Sequence, residues 1–273
     1  MARLAAIQMV SGNDLDDNLK QAASLLQQAA EQGAQLAVLP ENFALFATDQ
    51  TLAFGQREAR QQEVLGFLRA QAAQHGLWIV GGSIPTGSRP DGSLIDGKVR
   101  STCWVIDATG EIAGRYDKIH LFDVQVADGH GQYLESKWFE AGDSLLILDT
   151  PFGRLGVAIC YDLRFPELFR QMQTAEVDLV ALPAAFTQVT GAAHWHVLLR
   201  ARAIENQFYL VAADQGGKHS ERRETYSHSL ILDPWGDVLS ECPTGPGVVL
   251  ADLDPDRLSQ IRQRMPVRDH RRL

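Results

Sequence analysis

The sequence predicts an α/β fold in which helices cover a mixed β-sheet or a pair of sheets. Short apolar runs typical of buried strands alternate with helical patterns along the chain, and hairpins interrupt that alternation. The 273 residues contain no linker, low-complexity run or obvious short repeat. We therefore expect one domain over residues 1–273, with a C-terminal arm from about Asp256.

The first half of the chain opens as strand, helix and strand. Residues 4–10 form an apolar run, apolar positions then recur at helical spacing over residues 15–30, and residues 36–39 form a short buried strand. The further elements predicted here are a helix at 57–74, a strand at 77–84, a loop at 86–97, and a hairpin of strands 99–107 and 111–118. Gly81 and Gly82 permit close backbone approach within their strand.

An irregular stretch at residues 119–142 separates the two halves, and loops of that length usually carry function. The elements predicted after it are strands at 145–148 and 155–160, a helix at 165–173, a strand at 178–182, a helix at 192–206, a strand at 208–213, a hairpin of strands 226–232 and 237–241, and a strand at 248–253. The tail from Asp256 is rich in arginine, and we interpret it as a helix and a dimer or surface arm.

Composition excludes several classes of partner. The net charge of −9 argues against nucleic acid or an anionic membrane surface. No apolar run reaches eighteen residues, so we expect no membrane span and a cytoplasmic protein. Cys103, Cys160 and Cys242 form no Cys-x-x-Cys pair, and His194 and His196 point to different faces of a predicted helix. Since nucleotide-binding motifs are also absent, we expect no metal and no cofactor.

Three polar residues that follow strand-like segments form a coherent hydrolytic set: Glu41, Lys118 and Cys160. Each alone has an ordinary explanation, because such charges are usually solvated and a free cysteine usually fills space. Together they meet the needs of thiol catalysis, since Glu41 can accept the proton of Cys160. Lys118 and the backbone N–H of Tyr161 can stabilise the oxyanion that forms on an attacked amide carbonyl.

Three segments resemble the signature segments of the nitrilase, or carbon–nitrogen hydrolase, superfamily. They are residues 39–41 (LPE), 116–122 (YDKIHLF) and 159–167 (ICYDLRFPE), in the order of that family. The resemblance implies a four-layer α-β-β-α sandwich with two mixed β-sheets, assembled as a homodimer or higher homo-oligomer. It also implies that Glu41, Lys118 and Cys160 are the base, the oxyanion stabiliser and the nucleophile. Glu135 matches a second glutamate of the family, although Glu140 lies close by.

The residues after the cysteine favour the Nit amidase branch of this superfamily. Nitrilases typically continue with Trp-Glu, whereas Tyr161 and Asp162 follow here, and residues 185–206 are similar to the Nit amidases. Residues 217–226 are more similar to the deaminated glutathione amidase branch than to the ω-amidase branch. Ser227 departs from both branches, which usually have glycine there. A turn tolerates this serine unless its φ is positive.

The resemblance implies a linear amide as substrate, hydrolysed through a cysteine thioester. Deaminated glutathione would give 2-oxoglutarate and cysteinylglycine. The alternatives are an ω-amidase acting on 2-oxoglutaramate or 2-oxosuccinamate, and a catalytically silent interaction module. A 2-oxo acid carboxylate requires a cation or polar donors. Arg164 is the first candidate to bind this carboxylate, and Thr187 and Arg223 are the next. Tyr161 is a further candidate substrate-binding residue. Arg164 has the alternative of a structural ion pair with Asp162 or Glu167.

Overall fold

The computed structural model describes residues 1–47 and 49–272. Its strands are β1 (Ala2–Gln8), β2 (Leu36–Val38), β3 (Trp78–Val80), β4 (Ile84–Thr86), β5 (Arg100–Ile106), β6 (Ile112–Asp117), β7 (Asp123–Gln125), β8 (Gln132–Leu134), β9 (Leu146–Thr150), β10 (Gly153–Val157), β11 (Leu179–Ala184), β12 (Tyr209–Asp214), β13 (Gly216–Lys218), β14 (Glu224–Tyr226), β15 (Ser229–Leu232), β16 (Val238–Cys242) and β17 (Gly247–Leu253). Its α-helices are α1 (Leu15–Glu31), α2 (Thr51–Gln61), α3 (Glu63–His75), α4 (Pro166–Thr174), α5 (Gln188–Asn206), α6 (Pro255–Arg264) and α7 (Val267–His270). Short 3₁₀ turns cover Glu135–Lys137 and Cys160–Arg164.

The strands form two mixed sheets, each covered by helices on its outer face. The first sheet has the order β17–β1–β2–β3–β5–β4, with β6 also paired to β5, and the second has the order β16–β15–β12–β11–β10–β9. Helices α1 and α3 pack on the first sheet, and α4 and α5 pack on the second. This arrangement confirms the expected α-β-β-α sandwich.

The alternation of side chains along β1 shows how the layers are built. Leu4 and Ala6 belong to the core that joins the two sheets, whereas Ala5 and Ile7 belong to the core beneath α1 and α3. All four side chains are fully buried. Successive residues of a strand point to opposite faces, so a strand buried on both faces is apolar throughout. The first sheet therefore packs against the second sheet on one side and against helices on the other.

The helix predicted over residues 57–74 is interrupted, because α2 ends and α3 begins on either side of Gln62. Gln62 has a φ of 51°, in the left-handed region. The carboxylate of Glu58 accepts the backbone N–H groups of Val64 and Leu65 at 3.1 and 3.0 Å. These donors have no partner within α3 itself, so Glu58 caps the second helix across the break.

The strand predicted at residues 77–84 is also divided, into β3 and β4, by the two glycines. Gly82 has a φ of 59°, and a Cβ there would lie 2.2 Å from the carbonyl oxygen of Pro40. The predicted close backbone approach at Gly81 and Gly82 is thereby confirmed. It seats the segment that carries Glu41 against the end of β3.

The predicted strand at residues 226–232 divides into β14 and β15 at Ser227 and His228. Both residues have a positive φ, of 70° and 60°. Left-handed backbone costs a residue with a side chain about 1–2 kcal/mol. Ser227 thus occupies the conformation that glycine adopts without strain.

The irregular stretch at residues 119–142 contains more structure than its composition predicts. It holds the β7–β8 hairpin and the 3₁₀ turn Glu135–Lys137.

The arginine-rich C-terminal tail packs against earlier residues of the same chain. Arg262 pairs with Asp178 at 2.7 Å, and Arg268 pairs with Glu176 at 2.7 Å. Among the described residues, no helix has both the length and the apolar character needed to cross a membrane.

Candidate active site

The ends of three strands bring Glu41, Lys118 and Cys160 together. Glu41 follows β2, Lys118 follows β6 and Cys160 follows β10, so the first two belong to one sheet and the cysteine to the other. The Lys118 Nζ donates to Glu41 Oε1 at 2.8 Å. The Glu41 side chain also interacts with the sulfur of Cys160. The three residues that the sequence singled out therefore form one buried cluster.

Lys118 is a buried cation held by two carboxylates. Its side chain is only 2 % exposed. Burial disfavours the ammonium form, but the charges of Glu135 and Glu41 outweigh that penalty and raise the pKa of Lys118 well above its usual value. The ammonium is consequently a fixed positive charge at the base of the site.

Of the two candidate glutamates, the structure places Glu135 beside the lysine. Both of its carboxylate oxygens lie 3.0 Å from Lys118 Nζ, and Oε2 accepts the backbone N–H of Phe122 at 2.6 Å. Burial raises the pKa of Glu135, although the charge of Lys118 opposes this. Glu140 instead pairs with Arg89 and Arg100 at 2.7 and 2.6 Å.

Cys160 occupies an unusual backbone conformation at the start of its 3₁₀ turn. Its φ is 46°, and the backbone N–H of Ala185 interacts with its sulfur. Burial, followed by the charge of Glu41, raises the pKa of the thiol well above its ordinary value. The resting thiol is therefore protonated at neutral pH, and its reaction requires a base that removes the proton during attack.

A buried carboxylate that sequence reasoning did not single out joins the lysine and cysteine segments. The Asp162 side chain accepts from the Ile159 N–H at 2.8 Å, from the Tyr116 hydroxyl at 2.7 Å and from the His120 N–H at 3.0 Å. His120 Nδ1 lies 2.7 Å from the same carboxylate. Because Tyr116 and His120 flank Lys118, Asp162 fixes that lysine's segment relative to the turn that carries Cys160.

All eight residues predicted for the site line a single cavity of about 730 Å³. Beyond the four residues already placed, they are Tyr161, Arg164, Thr187 and Arg223. A cavity of this size accommodates a small metabolite or a short peptide.

Among the described residues, the two arginines of the cavity wall have no carboxylate partner. Arg164 lies 3.2 Å from His194 Nδ1, and within the described chain it forms no ion pair with Asp162 or Glu167. Arg223 donates to the Tyr133 hydroxyl at 2.6 Å and to a backbone carbonyl. Both guanidinium groups are therefore placed to pair with an incoming anion.

Thr187 lines the cavity, but its hydroxyl also serves the fold. It caps α5 by accepting the Thr190 N–H at 3.3 Å, and the hydroxyls of Thr187 and Thr190 lie 2.8 Å apart. A threonine at a helix N-cap is a structural signal in its own right. A substrate would have to share this hydroxyl with the helix.

His219 forms part of the cavity wall and was not predicted from the sequence. Its ring stacks on Phe46 with centroids 3.9 Å apart. Nδ1 lies 2.7 Å from the Ser11 carbonyl oxygen, and Nε2 lies 2.7 Å from the Thr225 hydroxyl. A carbonyl only accepts, so Nδ1 carries the proton and Nε2 accepts from Thr225. Burial lowers the pKa of His219 to about 4, which keeps the ring neutral.

Comparison with known proteins identifies the family of this chain. The family model described as carbon-nitrogen hydrolase matches residues 3–263. The chain is 40% identical over 271 residues to a deaminated glutathione amidase of Yersinia enterocolitica, covering 99% of this chain and 93% of that protein. It is 43% identical over 269 residues to a protein of the same name from Synechocystis, covering 98% of this chain and 97% of that protein. The crystal structure of Saccharomyces cerevisiae Nit3, a member of branch 10 of the nitrilase superfamily, matches with a TM-score of 0.86 and 30% identity, covering 100% of this chain and 97% of that one.

The fold and the buried cluster define a hydrolase that cleaves carbon–nitrogen bonds. The chain belongs to the carbon–nitrogen hydrolase family. It is an amide-cleaving hydrolase, and the resemblance read from its three sequence segments is confirmed.

Proposed function

We propose that this enzyme hydrolyses deaminated glutathione through a thioester on Cys160. One observation carries the catalytic part of the proposal: the Lys118 ammonium is buried between Glu41 and Glu135, directly beside the thiol. A fixed cation, a carboxylate and a nucleophile in one buried cluster are the groups that acyl transfer from an amide requires.

In the first half of the reaction, Glu41 accepts the proton of Cys160 while the sulfur attacks the amide carbon. The C–S bond forms, and the negative charge that develops on the carbonyl oxygen is stabilised by Lys118 and the Tyr161 N–H. Glu41 then gives its proton to the nitrogen as the C–N bond breaks, and cysteinylglycine leaves with its amine.

In the second half, Glu41 takes a proton from water, which attacks the thioester carbonyl. Collapse of the second tetrahedral intermediate returns the thiolate, which is reprotonated, and releases 2-oxoglutarate. Glu135 holds the Lys118 ammonium through both of its oxygens, so the lysine stays charged and in position during both halves.

The substrate assignment rests on the two arginines and on the names of the relatives. Deaminated glutathione has carboxylates on both sides of the scissile amide, one on the 2-oxo acid and one on the glycine. Arg164 and Arg223 both line the cavity and have no carboxylate partner among the described residues. An ω-amidase substrate carries only the first carboxylate, so it leaves one of these cations unpaired.

The test compares the kcat/KM of the enzyme on deaminated glutathione and on 2-oxoglutaramate. We expect deaminated glutathione to be favoured, and we expect Cys160→Ala to lower its hydrolysis by at least about four orders of magnitude. A large preference for 2-oxoglutaramate would identify the enzyme as an ω-amidase. That result would overturn the substrate assignment but not the proposed roles of Glu41, Lys118 and Cys160. Hydrolysis of neither amide would contradict the substrate assignment, and activity that survives Cys160→Ala would contradict the thioester mechanism.

We propose further that the chain is a single cytoplasmic domain, with its arm from about Asp256, and that it forms a homodimer. Large apolar side chains are exposed on α5 and on the neighbouring turn and strand. They are Val189, Val197, Ile204, Trp235 and Leu239. Exposed apolar side chains in number on neighbouring elements are typical of a protein–protein contact. The three cysteines are free, as is usual in a reducing compartment.

A further inference from the structure

Three metal-ligating side chains converge outside the catalytic cavity, on the outer side of the second sheet. They are His196 on α5, His228 in the turn before β15, and Glu241 on β16. Their ligand atoms all lie within 4.8 Å of one another. Glu241 Oε1 is 3.1 Å from His196 Nε2 and 2.5 Å from His228 Nδ1. None of the three lines the catalytic cavity.

The backbones that carry these side chains are fixed by the fold. The indole N–H of Trp195, the neighbour of His196, donates to the His228 carbonyl oxygen at 2.8 Å. Glu241 pairs with Leu230 in the β15–β16 ladder, two residues after His228. Two positive φ values in succession, at Ser227 and His228, form the tight turn that precedes β15. The three side chains therefore extend from backbones that the fold holds in place.

The donor set is that of a zinc site. Zn²⁺ binds imidazole nitrogens and carboxylate oxygens at about 2.0–2.2 Å, which places neighbouring ligands of a tetrahedron roughly 3.4 Å apart. The distance from His196 Nε2 to Glu241 Oε1 is close to that value, and the His228 contact needs a small opening. Burial opposes the change, but hydrogen bonds from His228 and His196 hold the pKa of Glu241 below its ordinary value, so the carboxylate is charged.

The exposure of the cluster suits a site that binds an ion from solution. The side chains of His196, His228 and Glu241 are between 25 and 33 % exposed. In a single chain, an ion could thus enter from solvent and keep water at its fourth position. Tyr226 stacks on the His228 ring, with centroids 4.4 Å apart, and covers one side of the cluster.

We propose that His196, His228 and Glu241 bind one Zn²⁺ ion, which clamps α5 to the β15–β16 hairpin. The ion would lie outside the catalytic cavity, although the first turn of α5 contributes Thr190 to the cavity wall. No metal was expected from the sequence, since His194 and His196 point to different faces of a helix. The partners of His196 come from residues 32 and 45 positions further along the chain.

The test measures Zn²⁺ binding by isothermal titration calorimetry in the Cys160→Ala background, because the active-site thiol is itself a zinc ligand. We expect one Zn²⁺ per chain and a rise of about 5 °C in the unfolding temperature at saturating ZnCl₂, reversed by EDTA. His196→Ala, His228→Ala and Glu241→Gln should each weaken binding at least tenfold. His270→Ala, on the exposed α7, is the matched control and should bind as the parent does.

Several outcomes would overturn the zinc site. They are the absence of binding at micromolar Zn²⁺, binding that Glu241→Gln leaves unchanged, and equal effects of MgCl₂ and ZnCl₂ on the unfolding temperature. Glu241→Gln retains the shape of the side chain, so circular dichroism can establish that weak binding does not reflect loss of folding. Without Zn²⁺ binding, the cluster would be a hydrogen-bonded His–Glu–His group only.

Discussion

Two glutamates five residues apart in the chain have different environments, and these environments define their roles. Glu135 is buried and directs both carboxylate oxygens at the Lys118 ammonium. Glu140 binds two arginines, and the hydrogen bond from Arg89, aided by Arg100, lowers its pKa to about 2. The first carboxylate therefore holds the Lys118 ammonium, whereas the second joins segments of the fold.

Glu135→Gln should lower kcat by about 100-fold with little change in KM. The amide keeps the shape of the carboxylate but removes the charge that holds Lys118 protonated and in position. Glu140→Gln is the matched control, and it should lower the unfolding temperature while kcat stays close to that of the parent. Steady-state kinetics and thermal unfolding of both variants provide the comparison. Equal losses of kcat would contradict a special role for Glu135.

The neutral imidazole of His219 predicts a loss of stability in acid. Its pKa is about 4 in the folded protein, below the value of about 6.5 of an unperturbed histidine. The unfolded chain thus binds more protons between these values. The neutral His219 ring therefore contributes its full share of the free energy of unfolding above about pH 6.5, and this share is lost as the pH falls towards 4. The free energy of unfolding should decrease by up to about 3 kcal/mol over that range.

Urea unfolding of the parent and of His219→Gln at several pH values tests this prediction. The glutamine cannot take up a proton in this range, so the variant should show a smaller decrease in acid. His270→Gln, at an exposed position, should follow the parent. An unchanged pH dependence in His219→Gln would mean that other groups cause the acid loss.

At the scale of elements, turns with left-handed residues set the ends of several strands and helices. Gln62 separates α2 from α3, and Ser227 and His228 separate β14 from β15. No glycine stands at these three positions, so each carries a conformational cost. The surrounding contacts, such as the Glu58 cap, repay that cost.

Ser227→Gly should stabilise the protein by about 0.5–1 kcal/mol. Glycine adopts the observed φ of 70° without the steric cost that serine carries, although it gains more freedom in the unfolded chain. The free energy of unfolding in urea measures the effect. Ser240→Gly, within β16, should instead lose about that amount. A destabilised Ser227→Gly variant would show that the serine hydroxyl contributes more than the turn costs.

Local patterns predicted most elements of this fold, because apolar periodicity reports which faces are buried. They missed the break at Gln62, since it depends on the side chain of Glu58 and not on a glycine or proline. The candidate site was predictable because Glu41, Lys118 and Cys160 lie in recognisable segments. The link through Asp162 and the position of His219 were not, because their partners lie far away in the chain and meet only in the folded protein.

At the scale of the whole molecule, the candidate site is shared between the two sheets. Glu41 and Lys118 extend from the first sheet, and Cys160 extends from the second. The packing between Leu4 and its neighbours on both sheets therefore sets the distance between Glu41 and Cys160. Errors of about 1 Å in such distances are costly for catalysis.

The proposed homodimer predicts that a charge on the exposed face of α5 will separate the subunits. Val197 is 69 % exposed, so Val197→Asp should fold normally yet halve the mass measured by light scattering after gel filtration. Leu94→Asp introduces the same charge at an exposed leucine in a loop outside this face and should leave the mass unchanged. A parent protein with the mass of one chain would rule out the dimer.

The single carboxylate of Asp162 has a consequence for how the molecule opens. It accepts the backbone N–H groups of both Ile159 and His120, which belong to segments 39 residues apart. An amide proton exchanges with deuterium only when its hydrogen bond opens. These two protons should therefore exchange with one common free energy of opening, so that the segments that carry Cys160 and Lys118 unfold together as one cooperative unit.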